Sequence, residues 1–600
     1  MKRGEVNVAE NNTFKLSRRN LVKSGAALAA VAPLVGSIGN VAEVAAQEVK
    51  EVPRNRTLIL RWAGTAGRYV DDQLWSGYPV GSNHQNGLGI LHEPLVYYSA
   101  FADKTYPWLA ESWEYNADFT QLTIKTRSGI TWSDGTPFSA ADVATTISMV
   151  RDAGPKVTRG VECQQFVDTA TATSDTEVVI KFKVPAPRFM FFMTYKYDIG
   201  LYIMPKHIIE GQDLSTFGNF DLAKGLPVTT GPWRVAFASP EQKIIDRADS
   251  WWAVDQGLVS ALPQVERIIY LPATPNEQLA QQIIANEIDC SLDLRPFDIE
   301  TVLAQNPKVT THTGTEKPYG YVDWWPTSLY VNCEIEPYND SAVRWALSYF
   351  IDRQQIIDVA LNGAGSISAL PMPTYPGLQP FAEGISDLLQ QYPTDEFNPD
   401  KGAQMLTGAG WTKEGDNWTK NGKKLEVPIE SFQVMGDIGP IVVEQLKRQG
   451  VESSYSEPPD FFDRFGPTTN WTASLFGHGG SVSGDPYFTL ALYQSRSVAV
   501  PGGHAVNFSR WHNDDYDKVV DEMAVTSAEN SPDKVMEQWH RAMEVFLPNL
   551  PDIQIQEWYH RIPMNQTYWT GWPTKDNAYV NGAFWHLTFQ LILNELKSAQ

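Results

Sequence analysis

Residues 122–143 read LTIKTRSGITWSDGTPFSAADV, a stretch in which strand, turn and helix signals follow one another. Leu122 and Ile124 alternate with polar neighbours, which predicts a half-buried strand. An Asp-Gly pair followed by Pro predicts a turn after that strand. Ser139 is placed to cap a helix that runs to about residue 150, with Asp142 in its positively polarised first turn. The stretch therefore predicts a strand, a turn and a helix in immediate succession.

The same succession of strands and helices extends along the rest of the chain. The strand that contains Leu122 and Ile124 is predicted at residues 113–126, and further strands are predicted at residues 56–63, 177–184 and 268–271. Helices are predicted at residues 276–286, 340–361, 401–410, 438–449, 516–524 and 532–546. Interspersed elements without a repeat period place the chain in the α/β or α+β class. The length of 600 residues suggests about three domains.

The N-terminus predicts an export signal rather than part of the fold. Ser17, Arg18 and Arg19 precede a short apolar stretch at residues 25–38, and small residues follow it. A basic flank, a short apolar run and a small-residue cleavage site are typical of a signal peptide, and the paired arginines resemble a twin-arginine signal. We expect residues 1–46 to be removed and the soluble mature chain to reach the periplasm. The alternative is a surface helix with a chance pair of arginines.

Charge and cysteine content exclude several functions. The chain has 48 Lys and Arg against 70 Asp and Glu, a net charge of −22; residues 1–46 hold six basic and three acidic residues, which leaves −25. A negative surface repels phosphate backbones, so no nucleic-acid partner is expected. Cys163, Cys290 and Cys333 are too few and too widely spaced for a disulfide framework or a zinc site, although one bridge stays open.

A search for catalytic motifs favours a protein that is not an enzyme. The phosphate-binding Gly-x-x-x-x-Gly-Lys motif and the zinc-binding His-Glu-x-x-His motif do not occur in the sequence. Residues 480–484 look like a nucleophile elbow, but Val482 stands where the serine belongs. The ten His are scattered, so neither a metal nor another cofactor is expected. One enzymatic alternative remains, a secreted glycoside hydrolase with two catalytic carboxylates.

Six short motifs, in order along residues 90–550, carry a family resemblance. They are PWLAESWE at 107–114, the stretch at 122–143, TGPW at 230–233, NEID at 286–289, LYVN at 329–332 with VRWALSYFIDR at 343–353, and AGW at 409–411. Together they resemble the family 5 extracellular solute-binding proteins, which are the dipeptide, oligopeptide and nickel binders of bacterial ABC importers. The motifs are interpreted as structural; residues 344–353 in particular are expected to be a helix core with surface charges.

The resemblance implies an α/β periplasmic-binding-protein fold of type II, cluster C, with two lobes on a hinge and an extra third domain. Mapped onto this chain, lobe one comprises residues 47–100, 225–320 and 555–600, the extra domain residues 101–224, and lobe two residues 321–554. The resemblance also implies a function. A monomeric binding protein would enclose a small solute between its lobes and deliver it to the membrane permease subunits of an ABC importer.

One segment differs from the peptide-binding members of that family. Those members carry Trp-x-x-Asp-Tyr-x-Asp-Pro, whose first Asp pairs with the α-amino group of the peptide. Residues 477–486 read GHGGSVSGDP, so Asp485 matches the later Asp while Val482 stands in place of the first. A buried ammonium needs such a partner, and the chain therefore resembles the oligosaccharide-binding members more. An oligopeptide or an opine, held through Asp71, Asp72 or Asp485, is the alternative.

Twenty Trp suit an oligosaccharide, because an indole stacks on the C–H face of a sugar while polar neighbours bond its hydroxyls. The candidate ligand-binding residues combine these features: Trp75, Asn83, His84, Trp324, Trp325, Trp471, His478, Asp485 and Trp558. For each Trp, packing in the core is the alternative. Trp324 and Trp325 are adjacent, so in a strand they face opposite sides and at most one of them points into the cleft.

Overall fold

The computed structural model describes residues 49–64, 67–80, 82, 87–194, 200–465, 470–498 and 506–599. The export signal expected at residues 1–46 and the candidate residues Asn83 and His84 lie outside the described residues. Within those ranges, no helix has both the length and the apolar character needed to cross a membrane. Strands and helices are interspersed from one end of the described chain to the other.

A seven-stranded sheet forms one side of a cleft that is described below. Its strands lie in the order Val309–Thr310, Met564–Asn565, Cys290–Ser291, Thr57–Arg61, Arg267–Leu271, Gln242–Arg247 and Trp233–Ser239. The central strand, TLILR, pairs in parallel with both neighbours, and its Leu58 and Leu60 are fully buried. A continuous apolar run is expected of a strand that is covered on both faces.

A five-stranded sheet forms the other side. Its strands lie in the order Glu452–Ser456, Glu426–Glu430, Ala473–Gly477, Thr327–Val331 and Ile553–Gln556. The apolar faces of the helices Ser341–Phe350 and Gly439–Arg448 share one hydrophobic cluster with this sheet. Both helices carry apolar residues at helical spacing, which explains why an apolar face of each packs on the sheet. A few polar residues, Arg344, Ser348 and Gln445, are buried with them.

A four-stranded antiparallel sheet and the helix packed on it contain the stretch at residues 122–143. Its strands lie in the order Ala110–Tyr115, Gln121–Thr126, Glu177–Phe182 and Val167–Ser174, and the helix Ala140–Ala153 shares its hydrophobic cluster. Ser139 and Asp142 form a capping box: the Ser139 hydroxyl accepts from the Ala141 N–H at 3.3 Å, and the Asp142 carboxylate accepts from the Ser139 N–H at 2.8 Å. The predicted strand, turn and capped helix are confirmed.

Two chain segments run between the seven-stranded and the five-stranded sheet, and they pair with each other. Tyr321–Val322 lies on the outward passage and Tyr559–His560 on the return. Tyr321 pairs with His560, and Val322 with Tyr559, in antiparallel register. We call this two-stranded pairing the crossing ladder. It holds both passages at one place, which is where a hinge between the two sheets would lie.

The remaining elements are three small sheets and a set of helices that range from four to 18 residues. Small sheets join Val96–Ser99 with Lys104–Pro107, Trp569–Thr570 with Lys597–Ser598, and Thr412–Glu414 with Asn417–Lys420 and Lys423–Lys424. Further long helices are Asn276–Ile284, Pro296–Gln305, Pro399–Gly408, Asp514–Ala524 and Pro532–Asn549. Shorter ones are Leu88–Leu91, Gly160–Phe166, Phe189–Thr194, Lys206–Ile209, Trp252–Asp255, Gln379–Glu383, Ser386–Gln391, Phe461–Arg464, Tyr487–Leu490 and Phe589–Glu595.

One predicted helix proves to be two. The sequence pattern predicts a single helix at residues 340–361, whereas the chain forms Ser341–Phe350 and then Arg353–Ala360. Asp352 starts the second helix, because its carboxylate accepts from the Gln355 N–H at 3.0 Å. A side chain that caps a new helix competes with continuation of the old one, and apolar spacing alone does not reveal that competition.

The surface charges predicted for residues 344–353 are wrong. Arg344 and Arg353 are fully buried. Nε of Arg344 donates to the Asn549 carbonyl at 2.9 Å, and Nε of Arg353 donates to the Gln554 carbonyl at 2.7 Å. Burial lowers the pKa of Arg353 to about 10, which leaves it charged at neutral pH. The Arg344 guanidinium therefore ties its helix to the end of the helix Pro532–Asn549, and the Arg353 guanidinium ties the next helix to the strand Ile553–Gln556.

The three cysteines are not linked. Cys163 and Cys290 are buried, Cys333 is partly buried, and all three are free thiols. Burial raises the pKa of each thiol above its ordinary value. The bridge that the sequence left open therefore does not form, and the thiols are held in their protonated state.

Candidate ligand-binding cleft

A cleft of about 1010 Å³ opens between the seven-stranded and the five-stranded sheet, beside the crossing ladder. Its lining includes residues 273–278 and 292–296 from the first side, Gln433, Val434, Asp437 and Ile438 from the second, and residues 556–559 from the return passage. A groove of about 860 Å³ beside residues 335–340 and 420–424 draws on the second side alone. A cleft shared by two sheets can enclose a solute that neither could enclose alone.

One ion pair spans this cleft. Arg295 precedes the helix Pro296–Gln305, and Asp437 precedes the helix Gly439–Arg448. Nε of Arg295 lies 3.9 Å from Oδ2 of Asp437, and both side chains are more than half exposed. An exposed pair of this kind contributes about 0–1 kcal/mol. It therefore bridges the two sides without holding them shut.

Glu557 follows the strand Ile553–Gln556 and lines the cleft. Its backbone N–H donates to the Ser366 carbonyl at 3.0 Å, which fixes its position. The residue is only 5% exposed, and among the described residues its Oε2 has no hydrogen-bond partner. Burial raises the pKa of the Glu557 carboxyl to about 8, so the group is protonated at neutral pH.

His560 lies three residues further along the same passage and has two charged partners. Its Nδ1 lies 2.8 Å from Oδ2 of Asp293, and its Nε2 lies 3.3 Å from Oδ2 of Asp323. Burial alone would lower the pKa of His560, but the two carboxylates outweigh burial and raise that pKa to about 10. A charged imidazolium thus joins the seven-stranded side, through Asp293, to both strands of the crossing ladder.

Trp558 brings an indole to the cleft. Its carbonyl accepts from the Asp323 N–H at 2.8 Å, and Trp325 meets it edge-on with 5.5 Å between the ring centroids. Trp325 itself packs against Gly477, where a Cβ would lie 2.3 Å from the ring. Trp325 therefore stands behind Trp558 and holds its orientation, while Trp558 faces the space where a ligand would lie.

Trp324 and Trp325 turn to different sides, as expected of adjacent residues. They lie in the link between Tyr321–Val322 and Thr327–Val331, not within a strand. Trp325 packs with the core of the five-stranded sheet, whereas Trp324 packs with a separate cluster and touches Gly479, where a Cβ would lie 2.1 Å from its ring. Neither ring is among the residues that line the cleft.

Trp75 and Trp471 lie in hydrophobic clusters away from the cleft lining. Trp75 is fully buried; its indole N–H donates to the Asp72 carbonyl at 3.0 Å, and Nζ of Lys243 lies 4.9 Å above its ring. Trp471 meets Phe465 edge-on at 4.9 Å. These contacts are those of core residues, and the ligand-binding role of the two indoles stays a prediction.

Asp485 and His478 also have partners within the protein. Oδ2 of Asp485 lies 2.6 Å from Nε of Arg188, and both side chains are largely buried. Nε2 of His478 lies 2.8 Å from the Tyr493 hydroxyl, and burial lowers the pKa of His478 to about 3, so the imidazole is neutral. Asp485 therefore already balances one buried cation, which leaves its predicted role toward a ligand as a prediction.

Sequence reasoning did not single out the charged residues of the cleft. Asp293, Arg295 and Asp437 belong to no motif, and each is one charge among many. For Glu557 the one available signal was its position next to Trp558. These charged residues meet in the cleft only because strands that are distant in sequence lie side by side in the fold. Within the described ranges, no group of three or more His, Cys, Asp and Glu side chains is placed to hold a metal ion.

Two sheets joined by a double crossing, with a cleft between them, define the class of two-lobed periplasmic binding proteins. The mannohexaose-bound periplasmic oligopeptide-binding protein of an ABC transporter from Thermotoga maritima has this fold, with a TM-score of 0.74, 21% identity, and coverage of 92% of this chain and 100% of that one. AppA from Bacillus subtilis, solved with a nonapeptide, has a TM-score of 0.68 at 19% identity over 91% and 99%. The predicted type II fold is confirmed.

The chain belongs to the bacterial extracellular solute-binding proteins, family 5, whose middle region matches residues 104–499. It is 27% identical to the nickel-binding periplasmic protein of Escherichia coli K12, over 60% of this chain and 65% of that protein. It is 24% identical to di/tripeptide-binding protein 3 of Pseudomonas aeruginosa, over 82% and 88%. The match to the nickel-binding relative thus spans slightly under two thirds of its length. The family confirms the resemblance and a binding protein rather than an enzyme.

Proposed function

We propose that the protein is the substrate-binding component of an ABC importer, acting in the periplasm as a monomer and delivering its solute to permease subunits. The cleft between the two sheets, beside the crossing ladder, is the observation that carries this proposal. Closure around such a cleft changes the outer surface, which lets a permease distinguish the loaded form. Lobe one is proposed as residues 47–100, 225–320 and 555–600, lobe two as 321–554, and the extra domain as 101–224.

Export through a twin-arginine signal belongs to the same proposal. Arg18 and Arg19 precede the short apolar stretch at residues 25–38, which supports that route. Replacing both arginines by Lys should keep the protein out of the periplasm while leaving its synthesis unchanged. Fractionation of cells that make the double variant, beside cells that make the unaltered chain, tests the route; periplasmic protein from the variant would rule it out.

For the ligand, we propose an oligosaccharide. The cleft offers the indole of Trp558 together with the side-chain amides of Asn276, Gln278, Gln433 and Gln556. A flat apolar ring beside neutral donors and acceptors suits a sugar, whose faces are apolar and whose rim carries hydroxyls. The Thermotoga maritima relative solved with mannohexaose supports this choice. Val482, in place of an acidic residue, supports it as well.

An oligopeptide or another amine-bearing solute is the second candidate. Glu277 is an exposed carboxylate of the cleft lining, and Glu557 would become one by releasing its proton to pair with a cationic ligand. The Bacillus subtilis relative solved with a nonapeptide supports this alternative. The two candidates differ in charge, so one comparison of ligands separates them.

Thermal unfolding and calorimetry with matched ligand panels test the proposal. Mannohexaose, cellohexaose and maltohexaose form one panel, and a nonapeptide with a set of dipeptides forms the other. A true ligand at about a hundred times its dissociation constant stabilises the folded state by about 2.7 kcal/mol. Stabilisation by a saccharide, recovered chemically unchanged, supports the proposal. Binding of peptides alone would reject the oligosaccharide, and release of cleaved sugar would point to a glycoside hydrolase.

A further inference from the structure

Glu557 is a buried acid at the edge of an open cleft, and its Oε2 has no hydrogen-bond partner in the part of the chain that the structure describes. The preceding strand Ile553–Gln556 and the hydrogen bond from the Glu557 N–H to the Ser366 carbonyl hold the backbone of Glu557 in place. Water reaches little of it, and no described donor reaches Oε2. A buried polar group without a hydrogen bond costs free energy, so its persistence in a cleft indicates a partner that arrives with the ligand.

Apart from the exposed Glu277, the charged and titratable groups that face this part of the cleft have partners within the protein. On the seven-stranded side Asp293 pairs with His560, and Glu277 is exposed on the helix Asn276–Ile284; from the two sides Arg295 and Asp437 pair with each other. On the return passage the Tyr559 hydroxyl bonds the Ser366 hydroxyl at 3.0 Å. The Arg561 guanidinium donates to the carbonyls of Pro318, Tyr559 and Ala364. No cation in the described structure pairs with Glu557.

We infer that Glu557 is a specificity-determining residue of the cleft, and that as a neutral carboxylic acid it donates one hydrogen bond to a saccharide hydroxyl and accepts another. This inference rests on the proposed function. A protonated carboxyl carries one O–H donor and keeps acceptor capacity, which matches a pair of neighbouring hydroxyls. The raised pKa of the Glu557 carboxyl, about 8, agrees with that state at neutral pH.

This chemistry predicts how binding responds to pH. At neutral pH the acid already carries its proton, so a saccharide binds without proton exchange. Above the pKa of about 8 the empty cleft holds a carboxylate, and binding as the neutral acid requires proton uptake. Affinity then falls by up to about tenfold for each further pH unit. A cationic ligand behaves in the opposite way, because it binds the carboxylate and releases a proton at neutral pH.

Two substitutions of Glu557 distinguish binding of a saccharide by the neutral acid from binding of a cation by the carboxylate. Glu557→Gln keeps the shape, one donor and one acceptor of the neutral acid, whereas Glu557→Leu keeps only the volume. Calorimetry with mannohexaose, and with the other hexasaccharides of the panel, is run at about pH 6 and about pH 9.5, on either side of the pKa. Glu414→Gln, on the exposed strand Thr412–Glu414, controls for loss of a negative charge.

We expect Glu557→Gln to bind within about threefold of the unaltered protein at the lower pH and to lose the pH dependence, and Glu557→Leu to bind at least about tenfold more weakly. Saccharide binding that is equal in all variants overturns the inference while leaving the proposed function intact. Loss of binding in both Gln and Leu variants overturns the neutral-acid role. Failure of the unaltered protein to bind any saccharide rejects the oligosaccharide proposal itself, and this inference with it.

A measurement without ligand tests the protonation state separately. At neutral pH the infrared spectrum of the unaltered protein should contain a carboxylic-acid C=O band that is missing from Glu557→Gln and retained in Glu414→Gln. Absence of that band, with a carboxylate band in its place, overturns the inference whatever the ligand proves to be.

Discussion

Glu93 and Glu557 are both glutamates buried almost completely, and they differ in what surrounds their carboxyl groups. Oε1 of Glu93 accepts hydrogen bonds from the indole N–H groups of Trp108 at 2.8 Å and Trp251 at 3.0 Å, and Oε2 accepts one from Trp252 at 2.8 Å. Glu557 has an unpaired Oε2 and faces a cleft. A buried glutamate thus accepts hydrogen bonds from three core indoles in one region, whereas in the other an oxygen of a buried glutamate has no partner among the described residues.

The pKa values follow from this difference. Burial raises the pKa of both carboxyls, but the hydrogen bonds from Trp108, Trp251, Trp252 and Thr230 oppose that rise at Glu93. At Glu557 nothing opposes it, and the pKa reaches about 8. Burial by itself thus does not identify a functional carboxyl; burial without donors, at the wall of a cleft, does.

Removing the Glu93 carboxyl should have the largest effect on stability. Glu93→Ala leaves three buried indole N–H groups without an acceptor, and each costs about 1–3 kcal/mol, so we expect a loss of at least about 3 kcal/mol. Urea unfolding followed by circular dichroism measures it. Glu557→Leu is the control, because it removes a carboxyl whose Oε2 has no hydrogen-bond partner among the described residues, and we expect it to be neutral or stabilising. Equal losses in the two variants would remove the contrast.

His560 extends the comparison to a buried base with two partners. His560→Leu leaves Asp293 and Asp323 unpaired, so we expect a loss of about 3 kcal/mol. The pKa of His560 is about 10 in the folded protein against an ordinary 6.5; its contribution is complete below pH 6.5 and disappears as pH rises through 10. His540→Leu, on an exposed helix face, is the control and should cost under about 0.5 kcal/mol. A flat pH profile for the difference would contradict this account.

The free energy of unfolding should depend on pH through the Glu557 carboxyl. Between its ordinary pKa of 4.5 and its folded value of about 8, the folded protein holds a proton that the unfolded chain has lost. Raising the pH in that window therefore favours unfolding, by up to about 1.4 kcal/mol per pH unit, and the effect levels off above about 8. Urea unfolding of Glu557→Gln should lack this component. Parallel profiles for the two proteins would show that the carboxyl is already ionised.

Local patterns predicted the local structure well. The alternation at Leu122 and Ile124, and the cap formed by Ser139 and Asp142, produced the strand and helix that the sequence indicated. These features depend on neighbours within a few residues, which the sequence displays directly. Several such motifs in order were enough to identify the family, and with the family came the two-lobed fold.

The site could be predicted only in part, because its partners are distant in sequence. The sequence suggested that Asp485 could bind a ligand, but its carboxylate pairs with Arg188, which lies 297 residues away in sequence. The number of Trp suggested a sugar ligand. Three of the indoles, however, donate hydrogen bonds to the Glu93 carboxylate, and Trp75 lies in a hydrophobic core. Composition reports how many rings exist and not what each one touches. Trp558 was found because aromatic and polar residues happen to be adjacent in sequence there.

Trp558 and Trp252 differ in the same way as Glu557 and Glu93, and replacing Trp558 should change the free energies of binding and unfolding less than the substitutions above. Trp558 lines the cleft, whereas Trp252 is buried with its N–H on Glu93. Trp558→Ala removes a stacking face and should weaken saccharide binding by about tenfold, about 1.4 kcal/mol, with a small effect on unfolding. Trp252→Ala should lower stability and leave the affinity of the folded protein unchanged. Calorimetry and urea unfolding on both variants check this; a Trp252 variant that loses affinity, or a Trp558 variant that keeps it, would place the ligand elsewhere than beside Trp558.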